Sequence, residues 1–350
     1  MKTVKLKCQE IPYVLELPDD LDKGLAGATA MLQLPDGLKQ YSREIADCLS
    51  DAIKARILIQ GDSVFGACDL HYGEVSSLGY VDAILHVGHT PYPDYLGDRV
   101  NVNPKGRVKV FFIAARYVGL PSEQTMESLL SLLRARSLRR IAVATTTQYL
   151  YAYRFAASYL RERGLEVVTF RGPASYYEEG QVIGCDYSFV PRGVEGYVII
   201  SGGEFHALGL YLATFRPVIQ LDVYKDKAYD MTGAGEKLYA SRLFKVSMTM
   251  NSSRWGIIVG TKTGQHRPWV VSALEAMLSR RGLHYKELYV GTLAPQILAN
   301  FDSDWYQTFV ITSCPRLPID DFNEYPKPVL TPGEAFMAIE GKLSPYRFPW

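Results

Sequence analysis

Long apolar runs are missing from this sequence of 350 residues, and the longest, such as 108–115, have only the length of a β-strand. A helix that crosses a membrane needs about 20 predominantly apolar residues, so no membrane-spanning segment is expected. The first residues, MKTVKLK, also lack the apolar core of a signal peptide. We therefore expect a cytoplasmic protein that does not enter the membrane.

The chain also has almost no net charge and few cysteines. The formal net charge is only +1, which gives no electrostatic basis for nucleic acid as a general partner. Five cysteines in a cytoplasmic protein do not predict a disulfide framework, because that compartment keeps thiols reduced. We expect Cys48 to be a core residue on the apolar face of a helix, and we assign no role to Cys8.

One pattern occurs three times along the chain. Each unit starts with an apolar strand and a polar loop, continues with an amphipathic helix, and ends with further strands. The helices of the second and third units close with near copies, RERGL and SRRGL, in which glycine ends the helix. The first unit is predicted to have strands 30–34, 56–60, 83–87 and 108–114 and a helix at 38–52. The second has strands 140–144, 166–170 and 196–200 and a helix that runs through 160. The third has strands 255–259 and 309–312 and a helix that begins at 268 and ends before 282.

Alternation of short apolar strands with helices is typical of parallel sheets that are covered by helices on both faces. The predicted fold class is therefore α/β, with three Rossmann-like repeats, each a small parallel sheet flanked by helices, around a pseudo-threefold centre. The predicted domains span residues 1–122, 123–228 and 229–350. Ligands of such sheets bind at the carboxyl ends of the strands, so three copies could place three sets of loops around one centre.

Each predicted domain carries one cysteine in a glycine- or proline-bearing loop beside an apolar strand. These are Cys68, Cys185 and Cys314, which are separated by 117 and 129 residues. Three thiolates that converge on one centre would hold an iron–sulfur cluster by three irons and leave the fourth iron open to a substrate. A buried thiol without a metal is the alternative for each cysteine taken alone.

A series of short motifs adds to the three cysteines in a fixed order. The motifs are LPDG at 34–37, GD at 61–62 with FGAC at 65–68, HVGH at 86–89, GQVIGC at 180–185, GEFH at 203–206, SCPR at 313–316 with Asp320, and LTP at 330–332 with EA at 334–335. Across residues 28–337 this order resembles the archaeal 2-(3-amino-3-carboxypropyl)histidine synthases of diphthamide biosynthesis. The loop GTKTGQH at 260–266 departs from the GT-x-GRQG that is more usual in that family.

The resemblance implies a homodimer in which Cys68, Cys185 and Cys314 bind a 4Fe–4S cluster. With an electron from a donor, the protein would cleave S-adenosylmethionine (SAM) between sulfur and the Cγ carbon of its methionine moiety. The resulting 3-amino-3-carboxypropyl radical would add to a histidine of translation elongation factor 2. The chain has no CxxxCxxC motif, which agrees with this difference from ordinary radical SAM enzymes.

The resemblance also suggests which loops contact SAM. A Gly-Gly loop brings backbone amides close to a ligand, and Arg316 could offer its charge to the SAM carboxylate. The alternative for Arg316 is a salt bridge to Asp320 or Asp321, and the alternative for His89 is a loop histidine with local hydrogen bonds. The candidate cofactor-binding residues are His89, Gly202, Gly203, His206, Gly260, Thr261, Gln265 and Arg316.

Two other functions are compatible with one cysteine per repeat. A quinolinate-synthase-like protein also surrounds a 4Fe–4S cluster with three domains and uses the open iron as a Lewis acid. A partner subunit without catalytic activity would keep the fold but lose cluster ligands, and the presence of all three cysteines argues against it. The ordered motifs favour the SAM-cleaving transferase, and the products of SAM cleavage would separate it from the quinolinate-synthase-like function.

Overall fold

The computed structural model describes residues 3–19, 21–91, 108–174, 176–262 and 264–350. Within these residues fifteen strands form three sheets of six, five and four strands. Helices lie between the strands, as predicted for an α/β chain. No helix in the described part of the chain is long and apolar enough to cross a membrane.

The first sheet has the order β1-β2-β6-β5-β3-β4, in which β3 to β6 are parallel. Its strands are β1 (Thr3–Lys7), β2 (Tyr13–Pro18), β3 (Thr29–Gln33), β4 (Arg56–Ile59), β5 (Ala83–Val87) and β6 (Lys109–Tyr117). The helices of this part are α1 (Leu21–Leu25), α2 (Ser42–Ile53), which follows a 3-10 turn at Asp36–Tyr41, and α3 (Tyr72–Ser77).

The second sheet has the order β11-β10-β9-β7-β8, and its four strands β7 to β10 are parallel. The strands are β7 (Arg140–Thr145), β8 (Glu166–Val168), β9 (Gly196–Ile200), β10 (Val218–Asp222) and β11 (Lys227–Asp230). The helices are α4 (Glu123–Ala135), α5 (Leu150–Glu162) and α6 (Phe205–Thr214).

The third sheet has the order β13-β12-β14-β15 and is parallel throughout. The strands are β12 (Arg254–Gly260), β13 (His284–Val290), β14 (Thr308–Ile311) and β15 (Val329–Leu330). The helices are α7 (Thr232–Thr249), α8 (Pro268–Arg280), α9 (Pro295–Ala299), α10 (Arg316–Ile319) and α11 (Pro332–Glu340).

Each sheet buries an apolar cluster on both faces, because neighbouring residues of a strand point to opposite sides. In the first sheet, Leu85 belongs to the core on one side and Ile84 to the core on the other. In the third sheet, Ile257 and Ile258 divide in the same way. The predicted glycine ends of α5 and α8 are confirmed, since Gly164 and Gly282 have φ of +84° and +66°.

Two expectations about the sheets and the cysteines are wrong. The first two sheets are not purely parallel, because β2 pairs antiparallel with β1 and β6, and β11 pairs antiparallel with β10. Cys8 and Cys48 are not separate thiols but form a disulfide bond, with a Cα–Cα distance of 5.7 Å. The turn after β1 places Cys8 in the same apolar core as α2, which carries Cys48.

Candidate active site

Three loops, one from each sheet, bring the three predicted cysteines to one cavity of about 180 Å³. Cys68 lies between β4 and α3, Cys185 lies between β8 and β9, and Cys314 lies between β14 and α10. Among the described residues, none of the three takes part in a disulfide bond. Their convergence means that one group in the cavity could contact all three sulfur atoms.

The cavity disfavours thiolates that have no positive partner. Burial raises the pKa of Cys68, and the nearby Cys314 and Cys185 raise it further, whereas the positive charge of Arg267 opposes them. Burial also raises the pKa of Cys314, against hydrogen bonds from the backbone of Arg316 and the charge of Arg267. A cationic metal group that binds the sulfur atoms would remove this repulsion and displace the protons.

The donor set is of the kind that holds an iron–sulfur cluster. Such a cluster bonds each cysteine thiolate through a different iron, so the three sulfur atoms need not touch a common atom. Three cysteines on one cavity therefore fit a cluster with one iron left open.

Asp69, directly after Cys68, ties the first cysteine loop to the third sheet. Its Oδ1 accepts hydrogen bonds from Lys262 Nζ at 2.6 Å and from Gln265 Nε2 at 3.3 Å. Its Oδ2 accepts from the backbone N–H of Phe65 at 3.0 Å. Asp69 and Lys262 are both buried, so breaking this pair would leave an uncompensated charge in the interior.

Gly264 packs directly on the backbone of Cys68. A Cβ atom at this position would lie 2.3 Å from Cys68 Cα and 2.6 Å from its carbonyl oxygen, which is closer than nonbonded atoms approach. Only glycine at position 264 lets the two backbones approach this closely. Gly264 therefore supports the first cysteine loop.

Trp350 and Arg267 connect the other two cysteine loops. Trp350 Nε1 donates a hydrogen bond to the carbonyl oxygen of Cys185 at 3.0 Å, and the Arg267 guanidinium lies 4.4 Å from the centre of the Trp350 ring. Arg267 in turn donates to the carbonyl oxygen of Ser313, the residue before Cys314. Charge, stacking and hydrogen bonding thus hold the second and third loops together.

Glutamine side chains join the first and second sheets on the other side of the cavity. Gln148 Nε2 donates to the carbonyl oxygen of Gly88 at 2.6 Å, and Gln181 Nε2 donates to Thr90 Oγ1 at 2.9 Å. Gln148, Gln181 and Thr90 all line the cavity. Hydrogen bonds between sheets therefore surround the three cysteines.

Three of the predicted cofactor-binding residues line the cavity, namely His89, His206 and Arg316. Burial lowers the pKa of both histidines to about 4, and for His206 the charge of Arg316 adds to the effect. Arg316 lies 5.7 Å from the ring centres of Phe65 and of Phe205. Its salt bridge to Asp320, the alternative considered from the sequence, is present at 3.1 Å.

The other five predicted cofactor-binding residues do not line this cavity. Gly260 and Gln265 line a smaller neighbouring cavity, which also contains Cys314 and Arg316. Thr261 donates a hydrogen bond to the Val290 carbonyl oxygen. Gly202 and Gly203 lie between β9 and α6. A Cβ atom at Gly202 would lie 2.9 Å from the Tyr149 hydroxyl, and the carbonyl oxygen of Gly203 accepts a hydrogen bond from Gln220.

Several cavity residues were not predicted. Phe65 and Phe205 stand inside motifs that the sequence did reveal, FGAC and GEFH, so their aromatic rings could have been proposed as ligand platforms. Gln181 also stands inside a motif, GQVIGC, whereas Gln148 had only a weak signal, because it lies in a turn after a buried strand. Trp350 contacts the loop of Cys185 without lining the cavity, and the sequence carries no signal for it, since that contact spans 165 residues.

A family model described as "Putative diphthamide synthesis protein" matches residues 34–347. The match covers nearly the whole chain. This chain belongs to that family. The resemblance inferred from the ordered motifs is therefore confirmed.

Curated relatives with enzyme names support the same assignment. The chain is 28% identical to 2-(3-amino-3-carboxypropyl)histidine synthase from Pyrococcus horikoshii over 326 residues, which are 93% of this chain and 90% of the relative. It is also 28% identical to subunit 1 of the human synthase over 312 residues, or 88% of this chain and 67% of the relative. These names confirm the prediction of an enzyme family.

Solved structures match the fold as well. A crystal structure of Dph2 from Pyrococcus horikoshii aligns with a TM-score of 0.76 at 28% identity and covers 92% of this chain and 88% of the other. A second structure of the same protein, solved with a 4Fe–4S cluster, aligns with a TM-score of 0.76 at 27% identity, over 92% and 89% of the two chains. A protein of this fold therefore holds the kind of cluster that the cavity suits.

Proposed function

We propose that this protein is a 2-(3-amino-3-carboxypropyl)histidine synthase, which transfers a 3-amino-3-carboxypropyl group from SAM to a histidine of translation elongation factor 2. The observation that carries the proposal is the meeting of Cys68, Cys185 and Cys314 at one cavity in a chain of the diphthamide synthesis family. The transfer is the first step of diphthamide biosynthesis.

Cys68, Cys185 and Cys314 are the proposed ligands of a 4Fe–4S cluster. When bound, the cluster supplies the electron that breaks the bond between the SAM sulfur and Cγ, and its open iron offers a site for the methionine part of SAM. The chain's own contribution is position. Asp69 and Gly264 hold the loop of Cys68, Trp350 holds that of Cys185, and Arg267 holds that of Cys314.

SAM would bind between the cysteines and the aromatic wall of the cavity. Arg316 carries a positive charge at this wall and is the proposed partner of the SAM carboxylate. Phe65 and Phe205 offer ring faces near that guanidinium, where apolar parts of SAM can pack. His89 and His206 stay neutral at physiological pH and so add no charge that would repel the SAM sulfonium.

The three sheets are the proposed cores of three domains around a pseudo-threefold centre, one cysteine to each. The predicted boundary at residue 228 falls inside β11, which pairs with β10, so we place it at residue 231 instead. A cytoplasmic homodimer, an external electron donor and elongation factor 2 complete the proposed assembly. Gly202, Gly203, Gly260, Thr261 and Gln265 would act by shaping the surrounding loops.

Product analysis tests this function. Protein reconstituted with iron and sulfide without oxygen is reduced and mixed with SAM, first alone and then with elongation factor 2. We expect methylthioadenosine as the nucleoside product, and elongation factor 2 that gains a 3-amino-3-carboxypropyl group on one histidine, as measured by mass spectrometry. Factor in which that histidine is replaced by glutamine is the control.

Three outcomes count against the proposal in different ways. Deoxyadenosine as the main product would contradict cleavage at Cγ, even if the cluster is bound. Methylthioadenosine without modification of the factor would leave the cleavage chemistry standing and would contradict elongation factor 2 as the substrate. If cluster-loaded, reduced protein converts neither SAM nor elongation factor 2, the quinolinate-synthase-like function is favoured.

A further inference from the structure

A line of hydrogen-bonded side chains runs from the surface of the first sheet to His89 in the cavity. Gln60 Nε2 donates to Asp62 Oδ2 at 3.2 Å, and Gln33 Nε2 donates to Gln60 Oε1 at 2.8 Å. Gln33 Oε1 then lies 3.5 Å from His86 Nδ1, and His86 Nε2 lies 2.9 Å from His89 Nδ1. Gln33 and His86 are fully buried, so water does not complete their hydrogen bonds.

The carboxylate at the outer end decides the direction of the whole line. An ionised carboxylate only accepts hydrogen bonds, so Gln60 must turn its amide N–H toward Asp62 and its oxygen toward Gln33. Gln33 must then donate to that oxygen, which leaves its own oxygen facing His86. Reversing the fully buried Gln33 amide would set its oxygen against that of Gln60, at a cost of about 1–3 kcal/mol, whereas Gln60 and Asp62 meet at the exposed end of the line.

The same direction fixes the tautomers of the two histidines. His86 faces an oxygen at Nδ1, so this nitrogen carries the proton and Nε2 has a lone pair. That lone pair requires a proton on His89 Nδ1. His89 therefore keeps the lone pair of its other nitrogen, Nε2, on the side away from His86, and no described residue forms a hydrogen bond with that atom.

The proposed transfer releases one proton. The S–Cγ bond of SAM breaks, and a C–C bond forms at carbon 2 of the target imidazole. The sulfonium becomes a thioether, and the ring hydrogen leaves as a proton. The single electron that starts the reaction returns when the ring regains its aromaticity, so the reaction needs no further oxidant or reductant. The proton needs an acceptor, and a side chain with a lone pair that lines the cavity can supply it.

We propose that His89 Nε2 is the proton acceptor for the target histidine, and that Asp62, Gln60, Gln33 and His86 are positioning residues that hold His89 in the accepting tautomer. This inference rests on the proposed function. Because burial keeps His89 uncharged near neutral pH, its lone pair is available when the substrates bind. The proton would pass to solvent when the product leaves the cavity.

Nitrogen NMR of the cluster-free protein tests the tautomer without any activity measurement. Protein labelled with ¹⁵N-histidine is expected to show His89 with a protonated Nδ1 and an unprotonated Nε2. Gln33→Met removes the acceptor for His86 and is expected to let the Nε2-protonated form of His89 appear. Gln40→Met, an exposed glutamine outside the line, is the matched control and should leave the signal unchanged. A protonated Nε2 in the unaltered protein would overturn the proposal.

Kinetics of His89→Gln test the role in transfer. Glutamine fills the site but cannot take a proton, so group transfer should fall by about 100-fold or more while reduced protein still forms methylthioadenosine from SAM. Equal transfer by the variant and the unaltered protein would overturn the role of His89 and leave the proposed function intact. Absence of methylthioadenosine with the unaltered protein would instead contradict the proposed function.

Discussion

His206 lies on the cavity wall in a position that disfavours its charged form. Burial, with the positive charge of Arg316 behind it, lowers its pKa from 6.5 to about 4. The unfolded chain binds a proton at this histidine below pH 6.5, whereas the folded protein resists it until about pH 4. Stability supplied by the neutral form is therefore present above pH 6.5 and is lost as the pH falls toward 4.

Replacement of His206 should change the pH dependence of stability. In His206→Gln the free energy of unfolding is expected to fall less between pH 7 and pH 4.5 than in the unaltered protein, by about 1–2 kcal/mol after allowance for partial exposure of the side chain. Urea denaturation of cluster-free protein at several pH values measures the difference. Parallel curves for the two proteins would contradict a lowered pKa.

Gly264 packs so closely on the first cysteine loop that a side chain at this position would overlap with the backbone of Cys68. Gly264→Ala should push the loop off Cys68 and lower both the denaturation midpoint and the iron bound after anaerobic reconstitution. Gly233→Ala is the control, because it adds the same methyl group in the first turn of α7 with no atom within 4 Å. The Gly233→Ala control should leave iron binding unchanged. If Gly264→Ala binds as much iron as this control, the close approach of Gly264 to Cys68 is not needed for cluster binding.

At the scale of elements, the segment after α11 holds the second cysteine loop. Its side chains pack beside the second sheet, where Phe348 joins the apolar core and Trp350 bonds to Cys185. The hydrogen bond and the stacking of Arg267 on the ring together contribute about 1–2 kcal/mol. The loop therefore owes part of its order to a residue far from it in sequence.

Removal of the Trp350 ring should loosen one cysteine loop and spare the others. In cluster-free Trp350→Ala, Cys185 is expected to react with iodoacetamide roughly tenfold faster, in line with the lost contacts, while Cys68 and Cys314 keep their rates. Peptide mass spectrometry of partly alkylated protein gives the three rates separately. Trp305→Ala, a partly buried tryptophan outside the cavity, is the control. Unchanged alkylation of Cys185 would show that Trp350 does not hold the loop.

Central elements of the fold were predictable because burial on both faces produces continuous apolar runs. The predicted strands 83–87 and 196–200 have the bounds of β5 and β9, which are buried along their whole length. The β1–β2 hairpin was not predicted, because its outer strand is exposed and mixes lysines with apolar residues. An exposed edge strand leaves little periodic signal in the sequence.

Site residues could be predicted where they stand in short sequence motifs. Contacts between residues far apart in sequence could not be predicted. Three cysteines in loops beside strands, read with the ordered motifs, led to one cavity. The Cys8–Cys48 disulfide was missed because its partners are 40 residues apart and the expected compartment argues against such bonds. The ion pair of Asp69 with Lys262 was also missed, since the two residues are joined only by the packing of two sheets.

For the whole molecule, the cavity is the place where all three sheets meet. Asp69 and Lys262 join the first sheet to the third, Trp350 joins the second to the third, and Gln148 joins the first to the second. A group bound to all three cysteines would stabilise the folded state, because it binds the native arrangement and not the unfolded chain. Cluster-loaded protein should therefore denature at a higher temperature than cluster-free protein.

We propose that Cys68, Cys185 and Cys314 together hold one cluster. Iron and acid-labile sulfide per chain, after anaerobic reconstitution, measure this directly in the three single alanine variants and in a Cys8→Ala/Cys48→Ala double variant shown to be folded by circular dichroism. We predict full 4Fe–4S content in the unaltered protein and in the double variant, and loss of most of it in each single variant. Full cluster content in any one of the three single variants would contradict the claim.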